Sequence, residues 1–295
     1  MPELPEVETT TTELGKLLPG LKVTNIWTSY NSPYFYGKDQ IKDPKYFKKF
    51  KKEIIGQKVT STSRQGKNVL IHLQNGVTIL IHMKMTGHIL YGKYRLEKKE
   101  WVPIEDGPLK DPFNGWIRLV FELSNGKHFV LSDMRKFAKV TILEGDTIED
   151  LGPDPLTIDT KKFKENISKK PNGNIKTVLM DQTLISGVGN IYSDEALWLT
   201  KIHPETSVKK IEDDLFKELF SNVKNVLKKG IKFKGDSMSD YRNPSGEKGG
   251  FQLHHKVYQL KGEGCKRKEC KGSIERKVVN GRSAHYCPVC QKAIE

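Results

Sequence analysis

No run of this chain approaches the roughly 20 consecutive apolar residues that cross a bilayer, so the sequence predicts no membrane span. The opening MPELPEVETT has neither a basic start nor an apolar core, which argues against a signal peptide. Amphipathic and lipidation patterns are also missing. The expectation is a soluble, cytoplasmic monomer with no membrane partner. Cysteine does not occur before Cys265; the only four, Cys265, Cys270, Cys287 and Cys290, crowd the C-terminal end. In a reducing compartment that clustering points to a metal site ahead of disulfides. Acidic residues are in deficit, 36 against 50 Lys and Arg, for a formal charge of +14. Such a surplus favours a polyanionic partner, because cations that neutralise phosphates release condensed counterions. Charge alone does not separate nucleic acid from an anionic surface. Internal repeats and low-complexity tracts are absent too, while a hydrophobic fraction of 36% with four tryptophans suffices for packed cores.

What is there divides along the chain. Residues 5 to 17 read as a helix, with Pro5 in its first turn and Pro19-Gly20 ending it. From about 21 to 143 short β-rich runs dominate. NVLIHLQNGVTILIHM and WIRLVFELSNGKHFVLSD each place two apolar strands around an Asn-Gly pair, a strong hairpin signal. Six or more such strands predict a β-sandwich with the first helix packed on it. Pro153 and Pro155 interrupt the pattern, and residues 160–170, 174–182, 190–201 and 208–230 then read as helices. GDSMSDYRNPSGEKGG, poor in apolar residues, predicts a mobile and functional loop. The fold class expected is multidomain α+β. Its parts are a β-sandwich domain at 1–150, a linker at 151–157, a helical domain at 158–249 and a zinc finger at 250–295.

The two cysteine pairs have four and two residues between their members, and sixteen between the pairs. That suits two ligand-bearing turns of a hairpin around one tetrahedral zinc ion. Four thiolates leave no open position, so the expected Zn2+ is structural. The basic residues around it can probe phosphates or simply be solvated. In ISGVGNIY, Gly187 and Gly189 permit a tight turn before Asn190 at a helix start, a natural phosphate site; alone it is equally an ordinary helix connection. Pro2, once Met1 is removed, is a secondary amine of lower basicity than lysine and hence a better nucleophile at neutral pH. Glu3 and Glu6 lie close enough in sequence to transfer its protons. An N-terminal helix with two glutamates also needs no catalytic role, and the residues alone leave both readings open.

As a set, MPELPEVE, QGK at 65–67, HMKMTG at 82–87, SDMRKF at 132–137, GVGNIY at 187–192 and the cysteine hairpin with GRSAHYC occur in one order. In that order the chain resembles the formamidopyrimidine-DNA glycosylases along essentially its whole length. The resemblance implies a bifunctional glycosylase and abasic-site lyase that excises oxidised purines from damaged double-stranded DNA. It implies a helix–two-turn–helix motif and a zinc finger beside the β-sandwich. Pro2 matches the family's nucleophile, Glu3 its general acid and base, and Glu6 a further active-site carboxylate. Lys67 matches a lysine at the lesion and its flanking phosphate. Met85, Arg135 and Phe137 match side chains that enter the duplex, and His82, Lys176, Asn190 and Arg282 match phosphate contacts. The resemblance also implies a bacterial-type protein located on the nucleoid. Two departures are the four-residue spacing of the first cysteine pair and Lys136 and Ala138 beside the wedge. An oxidised-pyrimidine glycosylase of the same family and a catalytically silent DNA-binding relative are the alternatives.

Overall fold

The first helix, α1 (Leu4–Leu17), opens on a capping box: the Glu3 carboxylate receives the Glu6 N–H while the Glu6 carboxylate receives that of Glu3. Pro5 sits in the first turn, where its missing N–H costs nothing. The buried residues Leu4, Val7 and Leu14 line one face of the helix. That face packs on a β-sandwich. The computed structural model describes residues 1–145 and 147–293.

The chain next forms β1 (Val23–Thr28) and then a helix that the sequence reading missed, α2 (Pro44–Ile54), capped by the Asp43 side chain on the Tyr46 N–H. Eight further strands follow: β2 (Val59–Gln65), β3 (Asn68–Leu73), β4 (Thr78–His82), β5 (His88–Gly92), β6 (Tyr94–Glu97), β7 (Glu100–Pro103), β8 (Ile117–Leu123) and β9 (His128–Ser132). β10 (Lys139–Leu143) ends the series. They make two four-stranded antiparallel sheets, ordered β1-β8-β9-β5 and β10-β4-β3-β2, plus the small β6-β7 hairpin. Both expected Asn-Gly hairpins form, β3-β4 and β8-β9. Gly76 and Gly126 take the positive φ those turns require.

The core between the sheets joins Val69, Ile71, Ile79 and Ile81 of one to Ile26, Leu119, Phe121 and Leu131 of the other. Phe50 and Ile54 of α2 and Leu14 of α1 close it. Phe121 and Phe129 stack at 4.2 Å between centroids. Residues Met1–Ile148 and Phe233–Gly250 belong to this compact unit.

The second unit comprises Glu149–Lys232 and the chain from Phe251 onward. It holds α3 (Thr160–Ile167), α4 (Ile175–Leu179), α5 (Asn190–Thr200) and α6 (Asp213–Lys232), then a hairpin of β11 (Glu275–Val279) and β12 (Arg282–Tyr286). The segment expected as a linker is fastened to this unit, with Gly152 donating to the Gln182 carbonyl and Pro153 accepting from Ser186. α5 is buried on nearly every face because α4, α6 and β12 all pack on it. Among the described residues no helix is long and apolar enough to cross a membrane.

Candidate functional site

Pro2, Glu3 and Glu6 are all buried at the start of α1. The two carboxylates of the capping box fix the backbone that carries Pro2. Glu6 also reaches beyond its own helix. Its Oε1 accepts the Asp236 N–H at 2.7 Å, while Oε2 accepts the Glu3 N–H at 2.7 Å. Gly235 makes that approach possible, since a Cβ there would meet Glu6 Cγ at 2.8 Å, and its φ is +87°.

The segment expected as a mobile loop is instead bound into the first unit. Tyr241 donates to the Glu6 carbonyl at 3.0 Å, and Ser237 Oγ accepts from the Gly249 N–H at 2.8 Å. Arg242, only 1% exposed, forks onto both oxygens of Asp111 and donates to the carbonyls of Ser239 and Tyr241. A buried, bidentate guanidinium of this kind is costly to break from one side, because the partner charge is left stranded.

Lys67 lies buried in the two-residue turn between β2 and β3. It sits at the same sheet end as His82, whose strand pairs Asn68 with His82 and His82 with Lys139. His82 Nδ1 accepts the Lys84 N–H at 3.0 Å, which leaves the ring proton on Nε2. Burial, with Lys84 and Lys67 nearby, pushes its pKa down to about 3. The imidazole is therefore a neutral N–H donor at physiological pH.

Met85, Arg135 and Phe137 come together on one surface. All three are exposed and line one cavity of about 580 Å³. The Arg135 guanidinium lies 4.5 Å from the Phe137 ring centroid, so the cation and the apolar face present one surface. The loops that carry them share an anchor that sequence reading missed. Asp133, wholly buried, accepts from Tyr30 Oη (2.8 Å), Thr86 Oγ1 (2.6 Å) and the Ala138 N–H (2.9 Å). Burial and that carboxylate raise the Tyr30 pKa well above its ordinary value, so the phenol stays a donor.

In the second unit, Asn190 opens α5 behind Gly189, and Arg282 is exposed at the start of β12, just past the Asn280-Gly281 turn. Lys176 is not at the surface. It is 0% exposed, and its Nζ donates to the Asn190 carbonyl (2.9 Å), Ser193 Oγ (2.8 Å) and Asp194 Oδ1 (2.7 Å). From there it holds the turn that carries Asn190, with its ammonium directed at these partners within the unit. Asp194 was also missed. Its other oxygen accepts the backbone N–H of His285 and faces the His285 ring, tying α5 to the cysteine hairpin. Glu195 ties α5 to the segment ahead of the first cysteine through the N–H groups of Lys256, Val257 and Tyr258.

The sulfurs of Cys265, Cys270, Cys287 and Cys290 all lie within 4.8 Å of one another. Zn–S bonds of about 2.3 Å in a tetrahedron need sulfur separations of roughly 3.8 Å, and Cys265–Cys290 and Cys270–Cys287 stand at 3.9 and 3.6 Å. The donor set fits one structural zinc ion with no open position. The lengthened first knuckle has a use: its Arg267 donates to the Trp198 carbonyl at 2.5 Å and stacks on the Trp198 ring, covering the C-terminus of α5.

Three family models match this chain. Residues 1–140 match the formamidopyrimidine-DNA glycosylase N-terminal domain, 151–242 its H2TH domain, and 262–293 a zinc finger found in FPG and IleRS. The formamidopyrimidine-DNA glycosylase of Herpetosiphon aurantiacus is 35% identical over 297 residues, covering 99% of this chain and all of the relative. That of Bacillus subtilis is 33% identical, with 99% of each chain covered. Among solved structures, a Lactococcus lactis FPG mutant bound to DNA containing Fapy-dG superposes with a TM-score of 0.82 at 31% identity, covering 99% of this chain and all of that one. MutM in complex with DNA containing carbocyclic 8-oxo-G gives 0.81 at 30% identity, again with 99% and 100% covered.

Proposed function

Since this chain belongs to the formamidopyrimidine-DNA glycosylase family, we propose that it excises 8-oxoguanine and formamidopyrimidines from duplex DNA and then cleaves the abasic strand. The observation that carries this reading is the interlocked start of α1, which fixes the buried Pro2 next to two buried glutamates, Glu3 and Glu6. With Met1 removed, Pro2 nitrogen attacks C1′ of the extruded nucleotide. The C1′–N bond to the base breaks and the base departs with a proton; the C1′–O4′ bond then opens, O4′ takes up a proton, and a C1′ iminium ion forms on Pro2. The cationic iminium acidifies C2′, so loss of a C2′ proton expels the 3′ phosphate. A second elimination expels the 5′ phosphate and leaves a one-nucleotide gap. Glu3 shuttles these protons, and Glu6 holds the backbone on which Pro2 sits. No step passes through the zinc ion, which holds the hairpin that presents Arg282.

Lys67 and His82 grip the backbone near the lesion, with the lysine as charge and the histidine as neutral donor. Met85 and Phe137 wedge the stack open and Arg135 faces the space left behind. Asn190 and Arg282 hold phosphates from the second unit. The 1–150, 151–157, 158–249 and 250–295 division remains our functional reading of the chain, with residues 236–250 capping the extruded base. The protein acts as a monomer on the nucleoid of a bacterial-type cytoplasm, a reading supported by its bacterial relatives.

Borohydride trapping on a duplex with 8-oxoguanine opposite cytosine, followed by mass spectrometry of the adduct, tests the reading. The expected product is DNA joined to a peptide beginning at Pro2. A Met1-free protein that forms no adduct, yet binds the duplex, is a silent relative.

A further inference from the structure

The cavity that holds Met85, Arg135 and Phe137 has an opposite wall that the mechanism leaves unused. Tyr30, Phe35 and Lys42 form it. Lys42 is 4% exposed. Its Nζ lies 4.6 Å from the Phe35 ring centroid and 5.5 Å from that of Tyr30. Among the described residues its ammonium has no hydrogen-bond acceptor and no ion-pair partner. The carboxylate whose charge it feels, Asp133, accepts hydrogen bonds from Tyr30, Thr86 and Ala138. A buried cation without an acceptor is expensive, and burial lowers the Lys42 pKa accordingly. Two aromatic faces offset part of that cost and hold the group in place.

We infer that Lys42 reads the base left unpaired on the complementary strand, and so sets which opposite base the enzyme accepts. The inference rests on the glycosylase reading above. When the wedge fills the gap of an extruded nucleotide, the base opposite loses its partner and its pairing edge turns to this cavity. The volume suits a small ligand of that size. Lys42 and Arg135 are donor-only groups. Cytosine offers two adjacent acceptors on its pairing edge, O2 and N3. Adenine offers one acceptor, N1, beside an amino group that a cation repels. Among the described residues no carboxylate lines the cavity, while Lys42, Lys84, Arg135 and Lys136 do. Its electrostatics therefore favour an acceptor-rich base over a donor-rich one.

The test is single-turnover excision of 8-oxoguanine placed opposite cytosine or opposite a tetrahydrofuran residue, which has no base. Wild-type protein, Lys42→Met, Lys42→Gln and Lys42→Arg are compared. The ratio of the cytosine rate to the tetrahydrofuran rate falls about tenfold in both neutral variants and recovers in Lys42→Arg. A ratio that stays constant overturns the inference, whether or not both rates drop. Equal losses on both duplexes with a shallower salt dependence also overturn it, and identify a phosphate contact instead. Wild-type protein that excises from neither duplex, yet binds both, marks failure of the glycosylase reading itself.

Discussion

The Thr86 hydroxyl donates to Oδ1 of the buried Asp133 at 2.6 Å, and the same hydroxyl oxygen accepts the Arg135 N–H at 3.1 Å. One side chain thus fastens the loop of Met85 to the loop of Arg135 and Phe137. Asp133 extends the tie to Tyr30, on the far wall of the cavity, and to the Ala138 N–H at the end of the second loop. The wedge is set by a polar knot beneath it.

Thr86→Val removes the hydroxyl at nearly constant volume and leaves an Asp133 oxygen and the Arg135 N–H short of a partner. The expected loss of stability is about 1–3 kcal/mol. Excision opposite cytosine falls by an order of magnitude, whereas cleavage of a preformed abasic site, which needs no wedge, falls far less. Parallel assays on the two duplexes check this. Equal losses assign Thr86 to folding alone.

Removal of a zinc ligand tests the second unit. Cys290→Ser leaves three thiolates and an opened finger, and Asp194 then loses an ordered partner in His285. DNA affinity is expected to fall at least tenfold, with zinc content below one per chain. Borohydride trapping at saturating DNA changes less, because Pro2 lies in the other unit. Metal analysis and binding titrations on the same preparation decide it.

The two kinds of phosphate contact differ in salt response. Arg282→Gln removes an exposed charge and should reduce the slope of log K against log[salt] by about one. His82→Gln removes a neutral donor, since Nδ1 is occupied and burial keeps the ring unprotonated. Affinity should drop with the slope unchanged. A shallower slope for His82→Gln would show that the ring is charged in the complex.

Much of this was legible in the residues. The Asn-Gly pairs gave both hairpins, and cysteine spacing gave the metal site, because both depend on near neighbours in sequence. α2 was hidden by its five lysines, although Asp43-Pro44 and the spacing of Tyr46, Phe47, Phe50 and Ile54 carried its signal. Asp133, Lys42 and the Arg242–Asp111 fork were not legible. Asp133 and the Arg242–Asp111 fork join residues far apart in the chain, nothing local marks an aspartate as destined for a knot, and Lys42 looks like any other cation of a lysine-rich stretch. The burial of Lys176 was hidden as well, since its partners Ser193 and Asp194 lie across a turn on another helix.

Acid should weaken the sandwich. His88 is fully buried, its Nε2 is 2.9 Å from Asn114 Oδ1, and burial pushes its pKa down to about 4. The unfolded chain protonates it near 6.5. Its native pKa is the lower one, so its stabilising contribution is complete above pH 6.5 and is lost progressively as pH falls toward 4. The Tm should decline over that window, and less steeply in His88→Gln. Some slope remains because His82 has a shift of the same sign. Melting curves at matched ionic strength provide the check.

The indole N–H of Trp198 points at Cys265 Sγ across 3.4 Å, while Arg267 covers its ring. One chromophore is therefore wired to a metal ligand and to a helix end at once. Its emission becomes an internal gauge of whether the finger is assembled, readable without a label. Since the other three tryptophans, Trp27, Trp101 and Trp116, all belong to the sandwich unit, the gauge reads one unit alone.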